Sequence, residues 1–144
     1  MFQLQNIRVA PGIATVDLNG GAATAIAVDL GAVNLGPVQE LACLFQFGNV
    51  AAANSAGTWL IEHSDNNSDW STAGTFADYT ASSQDNLCAL AFVKTGGTLK
   101  RYVRASITGG AGATLIAATW LIITGQMPSS TTERGAVQTI FIGS

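Results

Sequence analysis

Thr58-Trp59-Leu60-Ile61-Glu62-His63-Ser64, followed by Asp65-Asn66-Asn67-Ser68-Asp69 and Trp70, decides how this chain is read. An apolar-rich run leads straight into a polar turn. If it is extended, Trp59, Ile61 and His63 fall on one face, and Leu60 and Glu62 on the other. The five residues after it carry side chains that hydrogen-bond their own backbone, which suits a turn. Lys100-Arg101-Tyr102-Val103-Arg104-Ala105-Ser106-Ile107-Thr108 alternates in a related way. Both segments predict strands, and helical periodicity is hard to find elsewhere.

Working outward, short β-branched runs recur, each closed by Gly, Asn, Asp or Pro. Ala14 to Leu18 predicts a strand ended by Asn19-Gly20-Gly21, a strong hairpin signal because both Asn and Gly tolerate positive φ. Thr24 to Leu30 is then the returning strand, with Thr24, Ile26 and Val28 on one face. Leu41 to Phe47 is apolar at nearly every position, as expected for a strand covered on both faces. Residues 37–44 offer a weaker alternative, a short helix. From Trp70 a polar connection is expected through Thr75-Phe76-Ala77-Asp78-Tyr79. Leu87 to Lys94 and Leu99 to Thr108 read as a hairpin joined at Thr95-Gly96-Gly97. Thr114 to Thr124 follows, and Val137 to Ile142 is one more short strand pattern.

About eight strands at this spacing predict an all-β, antiparallel β-sandwich of jelly-roll-like form. The 144 residues fit one domain, 1–144, with an N-terminal arm at about 1–12 and a C-terminal strand tail at about 126–144. The tail is expected to complete an edge of its own sheet. The alternative is addition to the sheet edge of a neighbour.

Only 10% of the residues are charged, against roughly 25% in a typical soluble domain. Ala, Gly, Thr and Ser take the space. Such a surface is poorly repelled from its neighbours and points to a homo-oligomer. The net charge of −3 and a pI near 4.7 argue against nucleic acid as a partner. The small basic cluster of Lys94, Lys100, Arg101 and Arg104 is expected to pair with acids such as Glu62, Asp65 or Asp69. Cys43 and Cys88 sit in apolar runs and are read as buried, reduced thiols; a bridge would need their strands to be neighbours with a suitable Cα separation. Met1 to Arg8 lacks the basic start and apolar core of a signal peptide. Ala113 to Thr124 is too short for a bilayer span of about 20 residues. Synthesis in a cytoplasm, with no membrane partner, is the expectation.

Chemistry is scarce. His63 is the sole histidine, and Ser64 and Asp65 follow it directly, which is not the spatial arrangement of a triad. No CxxC or HxxxH spacing supports zinc. The Asp65–Asp69 run fails as a calcium loop, since Trp70 and Phe76 stand where Gly and Glu are required. Neither a catalytic residue, a metal nor a cofactor is expected. Trp59, Trp70, Phe76 and Tyr79 raise a sugar-stacking platform as a second reading, with Trp59 and Trp120 better explained as core. The residues singled out as an interaction surface are Trp70, Tyr79, Arg101, Arg104, Ile140 and Phe141.

Thr58 to Asp65, Trp70 and Phe76-Ala77-Asp78, together with Lys100-Arg101-Tyr102-Val103-Arg104 after Gly96-Gly97, Ile107-Thr108 and the Gly/Ala-rich turn at 109–113, resemble a pattern of small structural proteins of tailed bacteriophages. The likeness covers roughly residues 58–124 and is to capsid decoration, or cement, proteins. It implies a β-sandwich or jelly-roll module without enzymatic activity. It further implies that the module sits on the capsid surface of a virion, as a homotrimer in contact with the major capsid protein. Related modules also occur in phage tails. The alternative function is a carbohydrate-binding β-sandwich module in a tail or receptor-binding apparatus.

Overall fold

The computed structural model describes residues 7–31, 40–50, 58–76, 88–94, 99–110, 112–123 and 139–142. Every regular element among them is a strand: β1 (Ile7–Pro11), β2 (Val16–Asp17), β3 (Ala22–Thr24), β4 (Val28–Asp29), β5 (Glu40–Val50), β6 (Thr58–Ser64), β7 (Ser71–Thr75), β8 (Cys88–Lys94), β9 (Tyr102–Thr108), β10 (Thr114–Ile123) and β11 (Thr139–Ile142). They form two sheets. The first runs β1-β10-β5-β8-β11, with β2 also on β10; the second runs β3-β9-β6-β7, with β4 also on β9.

β1 and β2 are two halves of one interrupted strand, as are β3 and β4. Gly12 marks the first break: a Cβ there would lie 2.0 Å from the Ala118 carbonyl oxygen, so only glycine lets the backbones come so close. Counted this way, eight strands pair first with eighth, second with seventh, third with sixth and fourth with fifth. That is a long antiparallel hairpin rolled into two sheets, the jelly roll. β11 is added to it, and it lies parallel to β8.

This topology corrects five sequence expectations. Asn19 and Gly20 do adopt positive φ (39° and 83°), and Gly21 N–H donates to the Leu18 carbonyl at 2.6 Å. The turn nevertheless joins no paired strands: it carries the chain from the first sheet to the second. β8 and β9 are likewise not a hairpin, since β8 pairs β5 and β11 while β9 pairs β3, β4 and β6. Local turn chemistry cannot tell a hairpin from a change of sheet. Residues 71–75, read as connection, form β7; a Ser/Thr/Gly edge strand carries no hydrophobic alternation to announce it. Residues 40–44, in the weaker helix alternative, are strand, and 37–39 lie outside the described residues. The break at 25–27 also shifts the predicted face: Ala25 and Val28 are buried, and Ile26 is 69% exposed.

The core lies between the sheets. β6 contributes Trp59 and Ile61, β9 contributes Val103, Ala105 and Ile107, β5 contributes Leu41, Cys43, Phe45 and Phe47, and β10 contributes Ile116, Ala118, Trp120 and Ile122. Period-2 alternation on each strand selects these residues. At the centre Trp59 stacks on Phe76 at 4.1 Å, while Phe45 and Phe47 meet Trp59 edge-on at 5.4 and 5.0 Å. Each such pair adds about 0.5–1.5 kcal/mol beyond area burial. Trp120 Nε1 is buried without a hydrogen-bond partner among the described residues, which offsets part of its packing gain.

Candidate interaction surfaces

With the core faces assigned, the opposite faces of the two sheets are what the molecule presents. The outer face of the second sheet is polar. Its rows follow the register: Thr58 opposite Thr108, Leu60 opposite Ser106, Glu62 opposite Arg104, Ser64 opposite Tyr102. Arg104 Nε donates to Glu62 Oε2 at 2.7 Å, and its guanidinium lies 4.1 Å from the centre of the Trp70 ring. Arg101 makes a two-pronged contact with Asp29, both bonds 2.9 Å, which raises its already high pKa, and it also lies 5.1 Å from the Tyr102 ring. Lys100 Nζ reaches Asp65 at 3.5 Å. Lys100, Arg101 and Arg104 do therefore pair with acids, although Arg101 takes Asp29 rather than one of the three anticipated; the side chain of Lys94 lies outside the described ones.

At one end of this sheet, His63 Nδ1 accepts the Lys100 backbone N–H at 3.4 Å. Partial burial lowers its pKa; the Lys100 charge adds to this, and Asp65 acts against it. The turn beyond is organised by Asn66, whose Oδ1 accepts from the Ser64 hydroxyl and from the Ser68 and Asp69 N–H groups, with Asn67 at φ 59°. The Ser64 hydroxyl is thus turned toward Asn66, away from any role beside His63. Among the described residues no three His, Cys, Asp or Glu side chains gather as a metal site. Nor is any helix there long and apolar enough to cross a membrane.

On the outer face of the first sheet the described side chains are mostly apolar, Val9, Leu115, Ala42, Leu44, Ala117 and Leu121, with Gln46 and Thr119 between them. One row runs Val9, Leu121, Ala42, Phe92 and Phe141; the next runs Pro11, Thr119, Leu44, Leu90 and Thr139; a third holds Ala117, Gln46 and Cys88. Among the described side chains of this face, Asp17, opposite Leu115 in register, is the one that ionises. Val9 is 71% exposed and Leu115 42%, with Leu115 lying over Gly48. Leu44, Ala117, Thr119 and Leu121 are half-buried, and Ala42 is fully buried.

The residues picked from sequence are scattered over this frame. Trp70, Arg101 and Arg104 share the outer side of the second sheet. Ile140 and Phe141 lie in β11, opposite Ala91 and Phe92 of the same chain, so the tail does complete its own sheet. Ile140 stands on the row of buried Cys43 and Trp120, and Phe141 on the outer row with Val9 and Leu121. Tyr79 lies outside the described residues. The four-ring sugar platform is broken up, because Trp59 and Phe76 are stacked on each other in the core. Cys43 is a free, buried thiol whose pKa is pushed up by burial. Its opposite on β8 is Ala91, while Cys88 faces Gln46. Three residues along a strand is about 10 Å, beyond the roughly 7 Å limit of Cα separation for a disulfide. The run Leu41 to Phe47, expected to be covered on both faces, is so at Leu41, Ala42 and Cys43, is half-covered at Leu44 and opens to water at Gln46.

No family model matches the sequence, and no curated protein matches it. Among solved structures, a subunit of Bacillus endospore appendages, described as a novel family of disulfide-linked pili, is similar at 14% identity over 84% of this chain and 90% of that one, with a TM-score of 0.46. The CBM22-1–GH10 modules of a Clostridium thermocellum endo-1,4-β-D-xylanase complexed with xylohexaose are similar at 11% identity over 88% of this chain and 28% of that one (TM-score 0.39). A CBM22-1 xylan-binding domain from Paenibacillus barcinonensis is similar at 11% identity over 86% and 89%, also with a TM-score of 0.39. At such identities and scores these are similarities of overall form.

Proposed function

We propose that this chain is a structural protein that acts by packing against other subunits, as a decoration module on the shell of a virus. The observation that carries the reading is the outer side of the first sheet, where Val9 and Leu115 are exposed and Leu121, Leu44 and Ala117 half-buried, all of them apolar. A face of that composition is stable in water only at a cost, and covering it with another subunit removes the cost. The low charge of the whole chain fits the same use, since few ions must be desolvated on contact. The resemblance of residues 58–124 to decoration proteins supplies the shell as the partner. Many modest contacts repeated by symmetry would then hold the module in place.

The test is addition of purified protein to undecorated phage shells, read by sedimentation. Binding that saturates at a stoichiometry set by the lattice supports the reading; no binding, or binding that never saturates, overturns it.

The carbohydrate reading retains one observation, Trp70 half-buried at the margin of the second sheet with Arg104 against its ring. Retention on immobilised xylan or another glycan that is lost in Trp70→Ala with folding intact would favour it over the structural one.

A further inference from the structure

Two turns of this chain hold an asparagine at positive φ, and they differ in what the asparagine does. In the first, Asn19 and Gly20 stand at φ 39° and 83°, and the Gly21 N–H closes on the Leu18 carbonyl at 2.6 Å. Positive φ at both central positions is the mark of a type I′ turn, which selects Asn followed by Gly. The Asn19 backbone N–H is held by Asp17 Oδ1 at 3.2 Å. Neither the Asn19 side-chain amide nor the Gly20 N–H makes a hydrogen bond among the described residues.

The second turn ties its asparagines down. Asn66 Oδ1 accepts from the Ser64 hydroxyl at 3.0 Å and from the Ser68 and Asp69 N–H groups at 2.9 and 2.8 Å, while its Nδ2 donates to Asp69 Oδ2 at 2.7 Å. The N–H that follows Asn67 is that of Ser68, already donated to Asn66. Asn19, Gly20, Asn66 and Asn67 are all exposed. Access to water therefore does not separate the two turns, whereas hydrogen bonding does.

We propose that Asn19 is a site of spontaneous deamidation, and that Asn66 and Asn67 are spared. Asparagine counts among the thermolabile residues. The Gly20 amide nitrogen attacks Cγ of Asn19. A bond forms between that nitrogen and Cγ, and the Cγ–Nδ2 bond breaks. The side-chain nitrogen leaves as ammonia, taking the proton that Gly20 gives up. Water then opens the five-membered succinimide ring at either carbonyl, leaving aspartate or isoaspartate. Nothing is oxidised or reduced, and water is the sole co-reactant. There is room for the ring, since a Cβ built on Gly20 would meet only the Gly110 carbonyl oxygen, at 3.7 Å. The turn itself demands the reactive pair. Glycine takes φ 83° freely because it lacks a Cβ, and the same lack leaves its nitrogen unshielded.

This corner carries the chain from the first sheet to the second. The Gly21 carbonyl accepts the Gly109 N–H at 2.7 Å, and Leu18 is buried. Isoaspartate at position 19 would route the main chain through the side chain and lengthen the turn by one carbon, between ends already fixed. It would also set a new carboxylate two residues from Asp17. The corner is therefore where the molecule loosens with age, whatever the chain packs against.

The test is peptide mapping by mass spectrometry on the full chain aged at 37 °C, folded and in urea, with isoaspartate detected by enzymatic methylation. In the folded chain Asn19 should convert at least tenfold faster than Asn66 or Asn67. The gap should narrow in urea, where the bonds of Asn66 are gone. A gap that is equal or wider in urea, or no conversion of Asn19 in the folded chain, overturns the proposal, because the turn would then shield its own asparagine. Asn19→Gly keeps the turn, as glycine accepts positive φ, and has no amide to lose. Aged wild-type protein should melt below fresh protein, and aged Asn19→Gly should not. Equal falls in the two would overturn the role of the corner in ageing.

Discussion

The two sheets share one core and differ on their outer sides. The second sheet shows water a ladder of threonines and serines crossed by the Glu62–Arg104–Trp70 cluster and flanked by Asp29–Arg101. The first shows Val9 and Leu115, with Leu121, Leu44 and Ala117 half-covered. Alternation explains the second: an antiparallel strand with one wet side reads apolar-in, polar-out. The first follows no such pattern: Leu41, Ala42 and Cys43 are successive buried residues, so β5 is covered on both sides along that part of its length. The difference teaches that one sheet is wet on its outer side while the other is partly closed there.

The most severe way to break the contrast is to remove the floor on which both sheets rest. Trp59→Ala deletes the ring that touches Phe45, Phe47 and Phe76. It should cost about 3–5 kcal/mol in urea unfolding. A loss below about 1 kcal/mol would mean that the sheets do not depend on a common aromatic centre. Trp120→Phe, which removes the unpartnered Nε1, should cost less than Trp59→Phe in the same assay.

Smaller changes sharpen the comparison between the outer faces. Arg104→Ala removes a part-buried ion pair and a cation–ring contact at once. About 1–2 kcal/mol of stability should be lost, part of it screened away in high salt. Gln46→Ala on the first sheet should change monomer stability by less than about 0.5 kcal/mol, with no salt dependence. Equal effects at the two sites would erase the distinction.

The smallest expected effect is on pH. Because the folded pKa of His63 lies below its unfolded value of 6.5, the unfolded chain takes up the proton first as pH falls. The stabilisation from neutral His63 is therefore present above pH 6.5 and lost on acidification through the lower, folded pKa. Melting temperature followed from pH 7.5 to 5 should show a decline that is shallower in His63→Gln. An identical decline in the variant would place the sensitivity elsewhere.

Much of this was legible in the chain. Trp59 and Ile61, alternating before a turn of Asp and Asn, fixed β6 and its buried side; Arg101 and Arg104 announced ion pairs. What stayed hidden was long-range. Asn19-Gly20 has the φ angles of a hairpin turn, yet its flanking strands enter different sheets, because the pairing of the first strand with the eighth is decided by core packing and not by the turn. β7 has no alternation to betray it, and the break at 25–27 puts Val28 inside while Thr24 and Ile26 are exposed, where a continuous strand would have kept all three in step. Of the residues marked as an interaction surface, Arg101 and Arg104 proved to be held by Asp29 and Glu62.

β11 gives the architecture a last consequence. By lying along β8 it occupies the backbone donors and acceptors that would otherwise face outward on that flank. On the opposite flank, Pro11 within β1 has no N–H to offer. On the β8 flank the free margin passes from the seven-residue β8 to the four-residue β11. A short edge on that flank and a proline on the other both weigh against one ribbon adding to the next as in a fibre.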